Sequence, residues 1–333
     1  VQALRPFLYT LENAGHIVAP IELKNPTDRA FIRVHMTGDI APHPDHNAEA
    51  EAYEIAIDGT GIEVRGSYLG IVCAAQTLRQ LLPPEALRPG SRGDIAMPFV
   101  QLRDHPYYSW RAVMLDVSRH FFPVTLLRRL VDLAAFHKLN ILHLHLTDDQ
   151  GWRMPIDAFP RLTEIGAVRR ETVVGELPSD VFDGVPHGGH YTKGELHDLV
   201  TYARDLGVTI IPEIDLPGHM VAAIAAYPQW GNTDEPVEVM TTWGISERII
   251  NTRAETIKAL ETILDEVMEV FDSPYIHLGG DEVPPSEWED SPEVQELIKA
   301  ENLPSLRAVQ GWIMDQLVEH VEEAGRTVVA WDE

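Results

Sequence analysis

The chain has 333 residues, 44% of them hydrophobic, a length that covers roughly two domains and a composition that excludes disorder. Its 26 Lys and Arg against 52 Asp and Glu give a formal charge of −26, and no basic stripe is present to meet a phosphate backbone, so nucleic acid is not an expected partner. No apolar run reaches the length of a membrane span, and the single cysteine, Cys73, lies in an apolar helical stretch where it reads as a buried, inert thiol. The opening Val-Gln-Ala-Leu-Arg lacks the charged and apolar segments of a leader and both ends read as cut, which leaves the compartment open.

Residues 1–106 read as a small α+β domain, incomplete at its start. Strands are expected over Ala30–Met36, Tyr53–Ile57 and Ile62–Val64, the last two joined by the turn Gly59-Thr60-Gly61. Ile71, Ala74, Ala75, Leu78, Leu81 and Leu82 then recur at helical spacing until Pro83-Pro84 stops them, and the Pro/Gly/Arg-rich stretch to Pro98 reads as a linker.

From residue 107 to 333 apolar strands alternate with amphipathic helices. Strands are expected at Ala112–Val117, Ile141–Thr147, Thr209–Asp215, Tyr275–Asp281 and Thr327–Asp332. Two helices carry capping boxes, Thr192 with Glu195 and Thr252 with Glu255, and Gly207 and Gly325 close helices. The alternation means a parallel sheet covered by helices, either an open doubly wound sheet or a closed (β/α)8 TIM-type barrel. Polar strand ends (Thr147-Asp148-Asp149, Glu213-Ile214-Asp215, Asp281-Glu282, Asp332-Glu333) favour the barrel, which keeps its chemistry there. No glycine-rich phosphate loop follows a strand, which disfavours a nucleotide fold.

In His277-Leu278-Gly279-Gly280-Asp281-Glu282 two glycines remove side chains just before two acids, so a ligand can approach the backbone beside an acid pair. Burial and like charge push one of two such carboxyls up, which is how a general acid is made. Adjacent acids are poorly placed to flank a glycosidic bond from opposite sides. They suit one acid and one helper.

On Ile141–Thr147 the two-residue period sets His143 and His145 on one face. Such a pair can bind zinc, with His219 and Asp281 completing the set. The favoured alternative is a hydrogen-bonded polar layer inside the barrel. Asp148, His219 and Glu282 together allow a relay that tunes the acid, against a plain loop role for the first two. Of Trp152, Trp288 and Trp331, only Trp331, beside two carboxylates at a strand end, is favoured as the wall of a sugar pocket.

Trp110-Arg111, Asp116 and Arg119-His120-Phe121, His143 to Arg153, Pro212 to His219 and His277 to Glu282 occur in an order that resembles the β-N-acetylhexosaminidases of glycoside hydrolase family 20. The resemblance spans residues 107–333, and Tyr53–Leu82 resembles the end of the small domain that precedes the family's barrel. It implies an exo-acting, retaining enzyme without cofactor or metal. Its substrate is a terminal N-acetylhexosamine, GlcNAc or GalNAc, of an oligosaccharide or glycoconjugate, and the substrate's own acetamido oxygen attacks the anomeric carbon. It further implies Glu282 as acid and base, Asp281 as the partner of the acetamido N–H, and Asp148 with His219 as the relay, with Asp149 as the alternative to Asp148. Arg111 and Asp149 are implied contacts of the sugar, and Trp331 a wall of the acetamido pocket. Five strands are visible where a closed barrel needs eight, so the chain reads as a barrel truncated after its fifth strand. The competing readings are a catalytically inactive carbohydrate-binding remnant of the same fold and a zinc-dependent barrel hydrolase on His143 and His145.

Overall fold

The computed structural model describes residues 2–13, 15, 31–37, 49–88, 90, 95–176, 178–233 and 235–332. Ala30, part of the expected linker and Glu333 lie outside them. The chain forms two compact units, one of Val1–Val113, Arg128–Leu142 and Thr201–Thr209, the other of Met114–Leu127, His143–Val200 and Ile210–Glu333.

In the first unit, helix α1 (Arg5–Asn13) precedes strands β1 (Ile32–Met36), β2 (Tyr53–Asp58) and β3 (Gly61–Gly66), helix α2 (Tyr68–Leu81) and strand β4 (Val100–Asp104). The sheet order is β1-β3-β2-β4, with β1 and β3 parallel and the other pairs antiparallel. Strict alternation in β2 buries Tyr53, Ile55 and Ile57 on one face, and Phe7, Ile71 and Leu78 of the two helices join the same core. Ser67 caps α2 by accepting from the Gly70 N–H at 3.1 Å. Cys73 is buried in this core, and burial pushes its thiol up to about 12, so it is the inert thiol expected. Helix α1 and strand β4 were not expected; each is short, and β4 offers only two apolar positions, Val100 and Leu102.

The second sheet takes one strand from each β/α unit. Along the chain run β5 (Ala112–Asp116), α3 (Val124–Phe136), β6 (Ile141–His145), α4 (Lys193–Asp205), β7 (Thr209–Leu216), α5 (Val221–Ala226), α6 (Ala254–Val270), β8 (Tyr275–Gly279), α7 (Pro292–Ala300), α8 (Ala308–Glu323) and β9 (Thr327–Val329). The spatial order β9-β8-β7-β6-β5 follows the chain without a reversal, and β7/β8 and β8/β9 are parallel. A doubly wound sheet reverses direction at its switch point; steady progression is the winding of a barrel wall. The sheet is not closed. Strand β7 is buried along nearly its whole length, as a strand covered on both faces must be.

The strands β8 and β9 stop short of the expected Asp281 and Asp332. Strand β8 ends on Gly279 at φ +68°, and beyond it Gly280 and Glu282, at +96° and +49°, turn the chain out of extended conformation. The Thr192 capping box forms, with Thr192 N–H donating to Glu195 Oε2 at 2.8 Å and Glu195 N–H to Thr192 Oγ1 at 3.1 Å. The Thr252 box does not. Helix α6 begins instead behind Asn251, whose Oδ1 accepts from the Arg253 N–H at 3.1 Å and the Thr256 hydroxyl at 2.6 Å.

Candidate active site

The two-residue period of neighbouring strands builds the site. It places His143 and His145 of β6, Glu213 and Asp215 of β7, and His277 and Gly279 of β8 together, while Leu142 and Leu144 pack on the other face. Glycine at 279 is obligatory: a Cβ there would stand 1.7 Å from Asp215 Oδ1. Its removal admits Asp215 to the end of β8, where Oδ1 accepts from the Gly280 N–H at 3.3 Å.

Glu213 is fully buried and ringed by donors. Its Oε2 meets His143 Nε2 at 2.7 Å and His145 Nδ1 at 2.6 Å, and its Oε1 accepts from the indole N–H of Trp331 at 2.9 Å. Burial opposes ionisation of this carboxyl, but the three histidines around it prevail and hold it far below the ordinary range. His145 passes the network on, its Nε2 meeting Asp148 Oδ2 at 2.8 Å. A carboxylate on each nitrogen requires a proton on each, and against the cost of burial these two bonds raise the imidazole to about 10.

Asp148 and His219 are brought together as expected. His219 Nδ1 lies 3.2 Å from Asp148 Oδ1 and equally 3.2 Å from Asp149 Oδ2, and Asp149 Oδ1 also accepts from the Val221 N–H at 3.1 Å. Burial resists it, yet these carboxylates raise His219 to about 11, while His145, His219 and Arg119 hold Asp148 at about 2. Asp149 is buried, held between His219 and the backbone; its position is that of a partner of His219 rather than of a sugar-facing group. Beyond the imidazole, His219 Nε2 faces Glu282 Oε2 at 3.5 Å and Asp281 Oδ2 at 3.7 Å. His219 and Glu282 both adopt left-handed backbone, with φ of +53° and +49°, a strain that concentrates at working sites. His219 Nε2, Asp215 Oδ2 and Asp281 Oδ1 are buried without a hydrogen-bond partner. Burial, and the charge of Asp281 among its neighbours, push the Asp215 carboxyl well up.

Arg111 is not brought into this cluster. Its guanidinium pairs with Glu51 and donates to the carbonyls of Lys138 and Tyr108 at 2.7 Å each, all within the first unit. As the residue before β5, it lies at the opposite end of the strand from the site. The cation at the site is Arg119, past the end of β5. Asp116 Oδ1 accepts from the Ser118 and Arg119 N–H groups at 2.9 Å each and so turns the chain. The guanidinium then reaches Asp148 Oδ2 at 2.6 Å. Arg119, Glu213 and Asp215 join the cluster although pattern reading did not single them out; Glu213 and Asp215 stood in a polar strand end it had marked, and Arg119 did not.

Trp331 follows β9, is 40% exposed, and lies with its ring centroid 4.9 Å from that of His277. Trp152 and Trp288 are buried core residues whose indoles donate to the carbonyls of Met154 and Ile250. Several histidine and acid sets, among them His143, Glu213 and His277, bring potential metal-ligand atoms within 4.8 Å. Two ligands at 2.0 Å on a tetrahedral ion stand about 3.3 Å apart, wider than the 2.6 and 2.7 Å contacts of Glu213. With both nitrogens of His145 protonated there is also no lone pair for a metal. Glu213, His143 and His145 are thus in hydrogen-bond contact, the arrangement of the polar layer expected on this face.

Residues 108–333 match the catalytic domain of glycosyl hydrolase family 20, and residues 10–105 match domain 2 of that family. A β-hexosaminidase of Vibrio furnissii is 34% identical over 300 residues, 89% of this chain and 48% of that protein. One of Akkermansia muciniphila is 39% identical over 251 residues, 74% of this chain and 48% of that protein. The crystal structure of a chitobiase from Flavobacterium johnsoniae superposes with a TM-score of 0.81 at 31% identity, covering 99% of this chain and 47% of that one. The chain thus spans about half the length of these relatives. Its ordered strand-end motifs, its barrel-type α/β sheet with a preceding small domain, and both matches place it in glycoside hydrolase family 20.

Proposed function

We propose that the protein is an exo-acting β-N-acetylhexosaminidase that hydrolyses terminal β-linked GlcNAc or GalNAc with retention and with the substrate's acetamido group as nucleophile. The observation that carries this reading is the convergence of Asp281 and Glu282 on one imidazole nitrogen, at 3.7 and 3.5 Å. Two acids on one side leave the opposite face of the anomeric centre without a protein nucleophile, and the acetamido oxygen supplies one.

In this reading Glu282 donates its proton to the glycosidic oxygen as the C1–O bond breaks and the acetamido oxygen closes on C1. Asp281 accepts the acetamido N–H and stabilises the positive charge of the cyclised intermediate. Glu282 then removes a proton from the water that reopens the ring. The cationic His219, held by Asp148 and Asp149, stabilises the Glu282 carboxylate between the two steps. Trp331 offers its exposed ring to the sugar, and Arg119 takes the hydroxyl-binding part that the resemblance assigned to Arg111. Small-domain and barrel boundaries near residue 106 agree with the two family matches. A barrel of eight strands, five of them in this chain, agrees with the open sheet and with the half-length coverage of the relatives.

The test uses the complete protein and two changes. Glu282→Gln lowers kcat on a β-GlcNAc glycoside with a sugar aglycone by about 10²–10⁴-fold, and wild-type turnover in this variant refutes the acid. Replacing the substrate's acetyl by trifluoroacetyl weakens the internal nucleophile and slows the wild type sharply. A rate indifferent to that change refutes acetamido participation, and sugar binding without turnover in the wild type favours the inactive carbohydrate-binding reading.

A further inference from the structure

The residues between Trp331 and the acid form a line of polar contacts that ends at His219, whose Nε2 faces Glu282 without a hydrogen bond. Indole Nε1 donates to Glu213 Oε1 at 2.9 Å, Glu213 Oε2 meets His145 Nδ1 at 2.6 Å, and His145 Nε2 meets Asp148 Oδ2 at 2.8 Å. Asp148 Oδ1 then stands 3.2 Å from His219 Nδ1, and His219 Nε2 faces Glu282 at 3.5 Å. Glu213, His145 and Asp148 are all buried. Water does not compete for these bonds, so each ring and carboxyl has one orientation.

We propose that Glu213 and His145 are positioning residues of the reaction, an interior chain of charge-assisted hydrogen bonds that fixes the pocket wall Trp331 at one end and the Asp148–His219 pair behind Glu282 at the other. The proposal rests on the hydrolase reading above and extends it to two residues that touch no substrate. Their chemistry follows from the contacts. His145 bridges two carboxylates and carries a proton on each nitrogen, so it is a fixed cation. It shares Asp148 with Arg119, whose Nη1 lies 2.6 Å from the same Oδ2, and with His219 on the other oxygen. With the Asp149 N–H donating to Oδ1 at 2.6 Å as well, one carboxylate divided among four donors is held in place, and its pull on the His219 proton is weakened. Glu213 in turn neutralises His145 and holds the indole, with His143 at 2.7 Å from its Oε2 and His277 Nδ1 at 3.1 Å from its Oε1. Two further ionisable groups stand close to His145: the Arg119 guanidinium, its Nη1 3.2 Å from Nε2, and the Asp215 carboxyl on the same strand as Glu213.

The two ends of the chain separate in experiment because they serve different steps. His145→Gln keeps Glu213 and Trp331 and disturbs only the acid. Acid assistance matters most for a poor leaving group, so the complete protein carrying this change loses kcat on a disaccharide of β-GlcNAc at least about tenfold more than on a dinitrophenyl β-GlcNAc glycoside, with KM near the wild-type value. Glu213→Leu shows the same gap and also a raised KM, because the indole loses its acceptor; Trp331→Phe reproduces the KM change alone. Equal losses on both aglycones, or no loss on either, overturn the proposal, since a general packing defect does not read the leaving group. If the variants do not fold, imidazole ¹⁵N NMR of the wild type decides: two histidines protonated on both nitrogens at pH 8.5, one beyond His219, support the bridge, and fewer than two overturn it. A wild type inactive on both substrates overturns the hydrolase reading itself and this proposal with it.

Discussion

Two arginines separate structure from chemistry. Arg111 follows a tryptophan in a motif that resembles the family's, and motif position alone assigned it to the sugar. Its guanidinium instead neutralises the buried Glu51, which also accepts from the Asn140 amide at 3.0 Å. Removing one partner of a buried pair costs about 3–5 kcal/mol, so Arg111→Ala lowers the unfolding free energy by about that amount and leaves kcat/KM of the folded protein unchanged. Arg119→Ala removes a cation at the acid cluster and lowers kcat/KM about tenfold or more, the worth of one charge-assisted hydrogen bond. Denaturant titration and steady-state kinetics on both variants check the assignment; a kcat/KM loss confined to Arg111→Ala reverses it. Both arginines follow short polar stretches, so what distinguishes them is which end of β5 each occupies. Strand direction supplies that, and residue type does not.

At the level of the elements, β6, β7 and β8 carry a polar layer where an apolar one is usual, and its histidines make stability depend on pH. His145 is raised to about 10 and His219 to about 11, above the ordinary value of about 6.5. A folded value above the unfolded one gives stability that is fully present below about 6.5 and lost as pH rises through the folded value. Asp215, also raised, moves in the same sense, its contribution being lost as pH rises above the ordinary carboxyl value of about 3.9, since its protonated form is the one the fold favours. The unfolding temperature therefore falls between about pH 7 and 10, and His145→Gln flattens that slope; a wild-type curve flat across this range contradicts the bridged imidazolium. The period of two made the shared face of His143 and His145 legible in the sequence. That Glu213 would be their common partner was not, because register between strands far apart in the chain is set by packing and by the Gly279 gap that seats Asp215.

Across the whole molecule, the second sheet ends on β5 and β9 without closing on itself. A closed barrel has no sheet edge, and an exposed edge with apolar surface beside it invites association. Met114 of β5 is 41% exposed and Leu133 of α3 49%. Produced by itself, the 333-residue chain is expected to self-associate and to bind an apolar dye, which light scattering and dye fluorescence measure. A monodisperse, dye-silent monomer contradicts this. The net charge of −26 opposes association, so the open edge has to outweigh it.

The sequence by itself determined the five strands of the β/α region, their order, the helices α3, α4 and α6 between them, and the strand ends that carry polar groups. These follow from local periodicity, capping residues and the glycines that end helices, such as Gly207 at φ +71°. It also brought Asp148, His219, Asp281 and Glu282 within one motif set, because residues at neighbouring ends of parallel strands converge whatever the details of packing. Only the tertiary structure decided which cation stands at the cluster, that Asp148 and Asp149 share His219, and that Glu213 joins Trp331 to His145. Each of those is a contact across about 70 to 120 residues or a choice between side chains a few ångströms apart, and the physical reason is the same: strand register and burial fix it, and neither is written in the local pattern of one strand.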